Sequence, residues 1–186
     1  MLFVIENLEP KLSEWLYIEY SHSARIVGKN LLITNVRNRS EFKKLSKIAS
    51  VERKSAGKLF LQDEMVLLDP LARKTLSPSD LNRKKVVLIG GILGDNPPSG
   101  RTKELLTKKL LRATVRNIGK YQFAIDGAVF VAKQVSMGKS LRDIPVQMGL
   151  EIEIAKGYSI SLPYAFPLVK GKPLISRKLI EYLKKY

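Results

Sequence analysis

The sequence predicts an α/β fold in which helices flank a mostly parallel sheet. Short apolar runs with strand character alternate along the chain with helix-like segments, and this order is typical of parallel sheets. The run Val86–Ile89 is apolar at every position, as in a strand covered by helices on both faces. Because 45% of the 186 residues are hydrophobic, the chain can bury one sizeable core. We therefore expect a single domain over residues 1–186.

The first half of the chain contains three predicted strand regions. They lie at 1–7, at 31–36 and within 60–68. A helix is predicted over 12–27, because its apolar residues recur at intervals compatible with one helical face. Ser40 is expected to cap a second helix that runs to about Ala49. Residues 75–85 are polar and are expected to form a loop.

The second half of the chain is organised around a strand, a glycine loop and a helix. Gly90, Gly91 and Gly94 follow the strand Val86–Ile89, and an amphipathic helix is expected over Lys103–Arg112. Glycines at the carboxyl edge of a parallel sheet allow a ligand to contact the backbone. The loop matches neither the Walker A motif nor the dinucleotide fingerprint. Its pattern nevertheless predicts a ligand-binding loop.

Five further segments complete the predicted fold. They are a strand at 121–125, a helix at about 128–137, β-like segments at 151–154 and 158–162, and a final helix that opens at Pro173. Asp126 and the run Leu162-Pro163-Tyr164 each follow a predicted strand. Since the carboxyl ends of parallel strands share one edge, we expect both to meet the glycine loop there and to form one pocket.

The chain is strongly basic, with 33 Lys and Arg against 17 Asp and Glu, and its formal net charge is +16. Such an excess favours a polyanionic partner such as RNA, although charged runs are often only solvated surface. The clusters are Lys108, Lys109, Arg112 and Arg116; Arg37, Arg39, Lys43, Lys44, Arg53 and Lys54; and Arg177, Lys178, Lys184 and Lys185. If the helix from Lys103 continues to Arg116, the residues Lys108, Arg112 and Arg116 form one stripe and are candidate substrate contacts.

Several classes of site are disfavoured by what the sequence lacks. The absence of cysteine excludes disulfides, thiolate metal sites and a cysteine nucleophile, and it fits a cytoplasmic protein. No apolar run approaches the roughly 20 residues that a membrane helix needs. His22 is the single histidine, so we expect neither a catalytic triad nor a metal site. A surface or capping role is the prediction for His22.

The glycine loop carries a distinctive motif. It reads Gly90-Gly91-Ile92-Leu93-Gly94-Asp95, then Pro97-Pro98, then Arg101-Thr102. This motif resembles the signature of a SPOUT-class methyltransferase family. Further matches are Ile5-Glu6-x-Leu8-Glu9, Leu12-Ser13-Glu14-Trp15, Leu68-Asp69-Pro70 and Gln122 with Asp126. The run Leu162-Pro163-Tyr164 departs from the family, which more often has Met-Pro-Phe-Arg-Tyr.

The resemblance implies a C-terminal trefoil knot and S-adenosylmethionine as the cofactor. The implied cofactor contacts are Gly90, Gly91, Ile92, Gly94, Ile125, Ala128, Leu162 and Pro163. Because this cofactor carries an already activated methyl group, the protein must chiefly align the nucleophile and remove its proton. Asp95, Arg101 and Asp126 are the polar residues best placed for that chemistry. Related enzymes act as monomers or as dimers formed through the knot.

The sequence leaves three functions open. Methylation of rRNA or tRNA is the main prediction, because the charge favours it and archaeal members are described as predicted RNA methyltransferases. Methylation of an arginine in a ribosomal protein is the alternative, since fungal members look like such enzymes. In that case Glu14 and Glu19, beside Trp15 and Tyr20, could hold a guanidinium group. The third function is a non-catalytic RNA-binding assembly factor. The expected partner is thus RNA or a ribosomal protein.

Overall fold

The computed structural model describes residues 1–95 and 99–185. Within these residues, one sheet has the strand order β3-β2-β1-β5-β4-β6, and every neighbouring pair is parallel. Its strands are β1 Leu2–Asn7, β2 Leu31–Thr34, β3 Ser50–Val51, β4 Met65–Leu68, β5 Val86–Gly91 and β6 Thr114–Arg116. The helices are α1 Glu14–Val27, α2 Arg39–Leu45, α3 Ala56–Leu59, α4 Pro78–Leu81, α5 Ile125–Ser136 and α6 Arg177–Leu183. The prediction of an α/β fold with a mostly parallel sheet is confirmed.

The two faces of the central strands belong to two different apolar clusters. Ile5 and Ile89 pack with residues of α1 and α5, whereas Val4 and Leu88 pack with Leu106 on the opposite face. Successive side chains of a strand point to opposite faces, so burial on both sides requires an apolar residue at every position. This requirement explains why the run at 86–89 has no alternation.

A second, antiparallel sheet is formed by β7 Val146–Ala155, β8 Tyr158–Val169 and β9 Lys172–Pro173. The predicted segments at 151–154 and 158–162 are therefore parts of longer strands. The placement of Leu162-Pro163-Tyr164 at an edge of the main sheet is wrong. These residues lie within β8, opposite a bulge between Met148 and Leu150. A bulge tolerates the missing amide hydrogen of proline, so Pro163 does not end the strand.

The segment after the glycine loop also differs from the prediction. Instead of an amphipathic helix over Lys103–Arg112, the chain makes one short π-helical turn at Lys103–Thr107 and then enters β6. Leu106 and Leu110 are buried beneath the sheet, as the apolar periodicity suggested. From Thr114 the backbone is extended, because β6 pairs with β4. The helical turn itself ends earlier, at Thr107, and residues 108–113 form turns between it and β6.

The predicted basic stripe is consequently absent. Lys108, Arg112 and Arg116 do not share a helix face. Each of them forms an ion pair with a different carboxylate: Lys108 with Glu104, Arg112 with Asp63 and Arg116 with Asp80. These three residues therefore do not form the predicted surface.

Smaller differences concern element boundaries. Helix α2 is capped by Asn38 rather than Ser40, since the Asn38 Oδ1 atom accepts from the Ser40 amide at 2.8 Å. Residues 121–125 contribute a single bridge, from Phe123 to Ala165, and the loop predicted at 75–85 contains α4. In the described part of the chain, every helix is too short or too polar to cross a bilayer.

Candidate active site

A cleft opens at the carboxyl edge of β4 and β5. Its empty volume is about 840 Å³ when the open solvent at its mouth is included. Its apolar lining includes Leu68, Ile89, Ile92, Ile118, Phe123, Ile125 and Ala128. Its polar lining includes Asp69, Asp95, Arg101, Thr102 and Gln122. The glycine loop and the start of α5 thus face one another across this cleft.

The three loop glycines have different surroundings. Gly90 lines the cleft, and a Cβ atom on it would lie 3.3 Å from the end of Ile92 and 3.6 Å from the Thr102 hydroxyl. A Cβ on Gly91 would lie 2.1 Å from the Tyr20 hydroxyl and 2.7 Å from the Glu6 carbonyl oxygen. A Cβ on Gly94 would lie 2.0 Å from Nε2 of Gln122. Gly90 and Gly94 therefore border the cleft, and Gly91 and Gly94 permit close protein packing.

A guanidinium group lies at the rim of the cleft. Arg101 donates to both Asp95 oxygens, at 3.0 and 3.1 Å, and to the Oε1 atom of Glu9 at 3.0 Å. Arg101 also donates to the Leu93 carbonyl, and the Leu93 amide donates to Glu9 at 2.9 Å. Such two-pronged contacts fix the geometry of both partners. Arg101 thereby ties the glycine loop to the segment that follows β1.

Asp95 is held in its ionised form. A hydrogen bond from the Ser99 hydroxyl, together with the charge of Arg101, lowers the pKa of Asp95 below its ordinary value. A carboxylate stabilised in this way is a weak base. In this conformation Asp95 therefore orders the loop, and its catalytic role stays a prediction. Pro97 and Pro98 of the loop motif lie outside the described residues.

Two buried carboxyl groups lie beneath the first turn of α5. The Glu19 side chain accepts from the Trp15 indole at 2.5 Å and from the Ile125 amide at 2.9 Å. Burial and the neighbouring charge of Asp126 raise the pKa of Glu19 to about 8. Glu19 therefore caps α5, whose N-terminal amides need acceptors. It connects α1 to the helix that lines the cleft.

His22 has a partner that the sequence did not indicate. Its Nδ1 atom lies 2.6 Å from Oδ2 of Asp126, and both side chains are largely buried. The other oxygen of Asp126 accepts from the Gly127 amide at 2.8 Å. The two residues are 104 positions apart, so no local motif could have paired them. Asp126 is thus engaged beneath the cleft, and a catalytic role for it stays a prediction.

Some of the remaining predicted site residues line the cleft, and others lie away from it. Ile125 and Ala128 line it, whereas Leu162 and Pro163 are not among the lining residues. Tyr164 reaches the loop, because its hydroxyl donates to the Gly94 carbonyl at 3.0 Å. Glu14 lies elsewhere, in an exposed ion pair with Lys44.

Glu9 and Asp69 were not selected as site residues from the sequence. Glu9 holds Arg101 and the Leu93 amide, and Asp69 accepts from Thr107 at 2.6 Å and from the Leu71 amide at 2.8 Å. Both residues directly follow strands that end at the cleft. Their positions just past a strand end were the signal that could have identified them.

Comparisons with known proteins match the whole length of this chain. The family model described as "Protein arginine N-methyltransferase SFM1-like" matches residues 2–186. The protein arginine N-methyltransferase SFM1 of Saccharomyces cerevisiae is 30% identical in an alignment of 202 positions, which covers 100% of this chain and 95% of the yeast protein. The crystal structure of yeast SFM1 complexed with SAM has a TM-score of 0.89 and 28% identity, and the match covers 99% of this chain and 90% of that one.

A second group of solved structures is similar in fold alone. The crystal structure of Trm10 from Thermococcus kodakaraensis has a TM-score of 0.59 and 20% identity, with 76% of this chain and 95% of that chain covered. This likeness relates the chain to the Trm10 fold.

The comparisons overturn the main functional prediction. RNA methylation was favoured by the net charge, but the chain-long matches are to protein arginine methyltransferases. The predicted likeness to archaeal RNA methyltransferases finds no support. The third possibility, a non-catalytic factor, is not supported either, because the relatives are enzymes by name. The chain belongs to the SFM1-like family of protein arginine N-methyltransferases.

Proposed function

We propose that this chain methylates an arginine side chain of a protein. The observation that carries the proposal is the family match over residues 2–186. The chain is a methyltransferase that uses S-adenosylmethionine, since yeast SFM1 has been solved with SAM, with SAH and with MTA. The finer features of substrate and mechanism below are argued from the geometry of the cleft.

The cleft fits the chemistry of this cofactor. Ile92, Ile118 and Ile125 offer apolar walls for an adenine ring, and Gly90 leaves backbone accessible to a ligand. S-adenosylmethionine supplies a methyl group that its sulfonium charge activates. Of the predicted contacts, the proposal retains those that line the cleft. They are Gly90, Ile92, Gly94, Ile125 and Ala128.

The rim of the cleft is suited to a guanidinium group. Arg101 already places its own guanidinium against Glu9, Asp95 and the Leu93 carbonyl. Planar, forked recognition by carboxylates is the geometry that arginine prefers. Because arginine stays protonated in water, an acceptor arginine must be oriented and must lose a proton during transfer. We propose that carboxylates of this rim perform the orientation.

Charge around the cleft supports a cationic substrate. Although the net charge of the chain is +16, carboxyl groups gather at this edge of the sheet. They are Glu9, Asp69, Asp95 and Asp126, which lie in the segments that follow β1, β4 and β5 or in the first turn of α5. A local excess of one sign attracts the opposite one. An arginine side chain therefore fits this edge better than an RNA phosphate does.

The proposal extends to a ribosomal protein as the substrate. This choice follows the resemblance of the sequence to enzymes that act on a small-subunit ribosomal protein. The C-terminal trefoil knot likewise stays a prediction of that resemblance. Mass spectrometry of the labelled product described next would identify the substrate directly.

The proposal is tested by methyl transfer into a ribosome-containing extract that lacks this enzyme. With methyl-labelled S-adenosylmethionine, we expect the label to be incorporated into protein, so that protease digestion removes it and nuclease digestion does not. Acid hydrolysis of the labelled protein should yield labelled methylarginine. Glu9→Gln removes a rim carboxylate, so incorporation should fall at least about 10-fold. Glu14→Gln is the matched control, since Glu14 lies away from the cleft in an exposed pair with Lys44. Label in nucleic acid, or in another amino acid, would contradict the proposal.

A further inference from the structure

We propose that a second surface on this edge of the sheet binds the phosphate backbone of double-helical RNA. This basic face consists of Arg37, Arg39, Lys43, Arg53, Lys54 and Lys109. The RNA would be a docking partner and not the methyl acceptor. This RNA-binding role is additional to the proposed arginine methylation and does not depend on it.

The basic face is contiguous although its residues come from three parts of the chain. Arg53 donates to the Arg37 carbonyl at 3.1 Å, and the Asn35 amide donates to the Lys54 carbonyl at 3.0 Å. These contacts place the segment after β2 beside the segment after β3. Arg37 and Lys109 then line a common cleft with Asn35. The α2 residues Arg39 and Lys43 continue directly from Arg37.

The cations of the basic face are exposed and available. Within residues 1–95 and 99–185, none of the six forms an ion pair within 4.0 Å. Glu52 is exposed among them, while Glu41 is engaged by the Leu12 amide at 2.9 Å. The face therefore carries a clear excess of free positive charge, unlike Lys108, Arg112 and Arg116, which are paired.

One carboxyl group lies inside this cleft, at Glu6. It is buried, and it accepts from the Thr34 hydroxyl at 2.5 Å and from the Ala56 amide at 2.8 Å. Burial raises the pKa of Glu6 above its ordinary value. Because Glu6 is occupied by these donors and lies below the surface, Arg37 and Lys109 present the outward charge.

The chemistry of the face favours a phosphate backbone over other polyanions. Among the described residues, no large apolar side chain of 35–58 is exposed, and the exposed Leu111 lies two positions beyond Lys109. The main part of the face therefore offers a membrane or an amphipathic peptide no apolar anchor. The Phe42 ring is covered by Arg53 at 5.0 Å and the Tyr17 ring by Lys44 at 4.2 Å. Single-stranded bases would therefore find no free ring to stack on. Of these binding modes, sequence-independent contact with the phosphates of a double helix fits the face best.

The basic face and the cofactor cleft occupy one edge of the same sheet. The Leu8 amide, just past β1, donates to the carbonyl of Gly91 at 3.2 Å. The strands β2 and β5 flank β1 on either side. RNA bound to the face would thus lie beside the cleft, and a protein assembled on that RNA could present its arginine there.

The test is duplex RNA binding by two variants of the full chain with equal charge. The basic-face variant carries R37Q, R39Q, K43Q and K54Q. The control variant carries K139Q, R142Q, K156Q and K172Q, all at exposed positions elsewhere. Both variants lower the formal charge equally, and neither touches the cofactor cleft. Binding is measured by fluorescence anisotropy with a 20-base-pair RNA, without cofactor or protein substrate, across a series of salt concentrations.

We expect the basic-face variant to bind at least about 10-fold more weakly at low salt, with a salt slope smaller by roughly 3 to 4. The control variant should change both values little. Equal losses in the two variants would overturn the proposal, because net charge alone would then explain binding. Stronger competition by polyglutamate or by anionic vesicles than by duplex RNA would overturn it in favour of an acidic protein or a membrane. Equal competition by duplex DNA would support phosphate recognition without selection of the sugar.

Discussion

The two sides of the sheet's carboxyl edge use charge in opposite ways. On the cleft side, Arg101 is held by Glu9 and Asp95, and Asp126 is held by His22. On the β2–β3 side, cations such as Arg39 and Lys43 extend into solvent and form no ion pair in the described part of the chain. The comparison shows that net charge does not report the charge of an active site. The role of a charged side chain can be assigned only when its ion-pair and hydrogen-bond partners are known.

The largest expected effect on stability comes from substituting Gly91, which packs against protein atoms, rather than its neighbour Gly90, which lines the cleft. Gly91→Ala would place a Cβ atom 2.1 Å from the Tyr20 hydroxyl and 2.7 Å from a backbone oxygen. We expect a loss of about 3 kcal/mol in the free energy of unfolding. Gly90→Ala is the matched control, since its Cβ would meet the movable end of Ile92 at 3.3 Å and the Thr102 hydroxyl at 3.6 Å, with no backbone atom among these contacts. Urea unfolding of both variants checks the difference, and equal losses would show that the two glycines share one role.

A second prediction concerns the buried pair on the cleft side. His22→Ala leaves a buried oxygen of Asp126 without its hydrogen-bond partner, so we expect a loss of about 2 kcal/mol in the free energy of unfolding. Asp126→Asn changes the other partner of the same contact. In the double variant the loss should be smaller than the sum of the two single losses. Strict additivity in thermal or urea unfolding would mean that the pair contributes no coupling.

A third prediction uses the pH dependence of Glu19. Its pKa is raised to about 8 from an ordinary 4.5, so the folded chain keeps a proton that the unfolded chain releases between these values. Stabilisation from this group is therefore complete below pH 4.5 and declines as the pH rises to 8. The stability of the wild type relative to Glu19→Gln should fall over this window in urea unfolding. A relative gain with rising pH would show that Glu19 is ionised in the folded chain.

The smallest expected effects distinguish two arginines that were predicted to share a stripe. Arg116 donates to Asp80 at 2.6 and 2.9 Å in a largely buried pair, whereas the pair of Arg112 with Asp63 is exposed. Arg116→Gln should cost about 1–2 kcal/mol in the free energy of unfolding, and Arg112→Gln at most about 0.5 kcal/mol. Equal costs in urea unfolding would contradict this ranking of the two pairs by burial.

Local patterns predicted the central strands well and the segments fixed by distant contacts poorly. The run at 86–89 could be recognised because burial on both faces leaves only apolar residues. The helix expected over 103–112 is helical only as far as Thr107, and turns follow it before β6 begins at Thr114, because the same apolar periodicity fits several conformations. Leu162 was misplaced for a similar reason, since its strand pairs within a separate hairpin.

The site was predictable only in part. Gly90, Asp95 and Arg101, which the glycine loop and its motif singled out, all line the cleft. His22 and Asp126 are 104 residues apart, so their contact depends on how α1 packs against α5. A contact between residues so far apart in the sequence leaves no local motif from which it could be predicted.

The central claim is that the cofactor cleft and the basic face are two separate binding sites at the carboxyl edge of the parallel sheet. The most direct measurement compares the affinities for S-adenosylmethionine and for duplex RNA of two variants, Gly90→Leu and the basic-face variant, each first shown by its melting curve to be folded. We predict that Gly90→Leu loses cofactor affinity by at least about 10-fold and keeps RNA affinity. The basic-face variant should show the reverse. Unchanged cofactor affinity in Gly90→Leu, or loss of both affinities in either variant, would contradict the account.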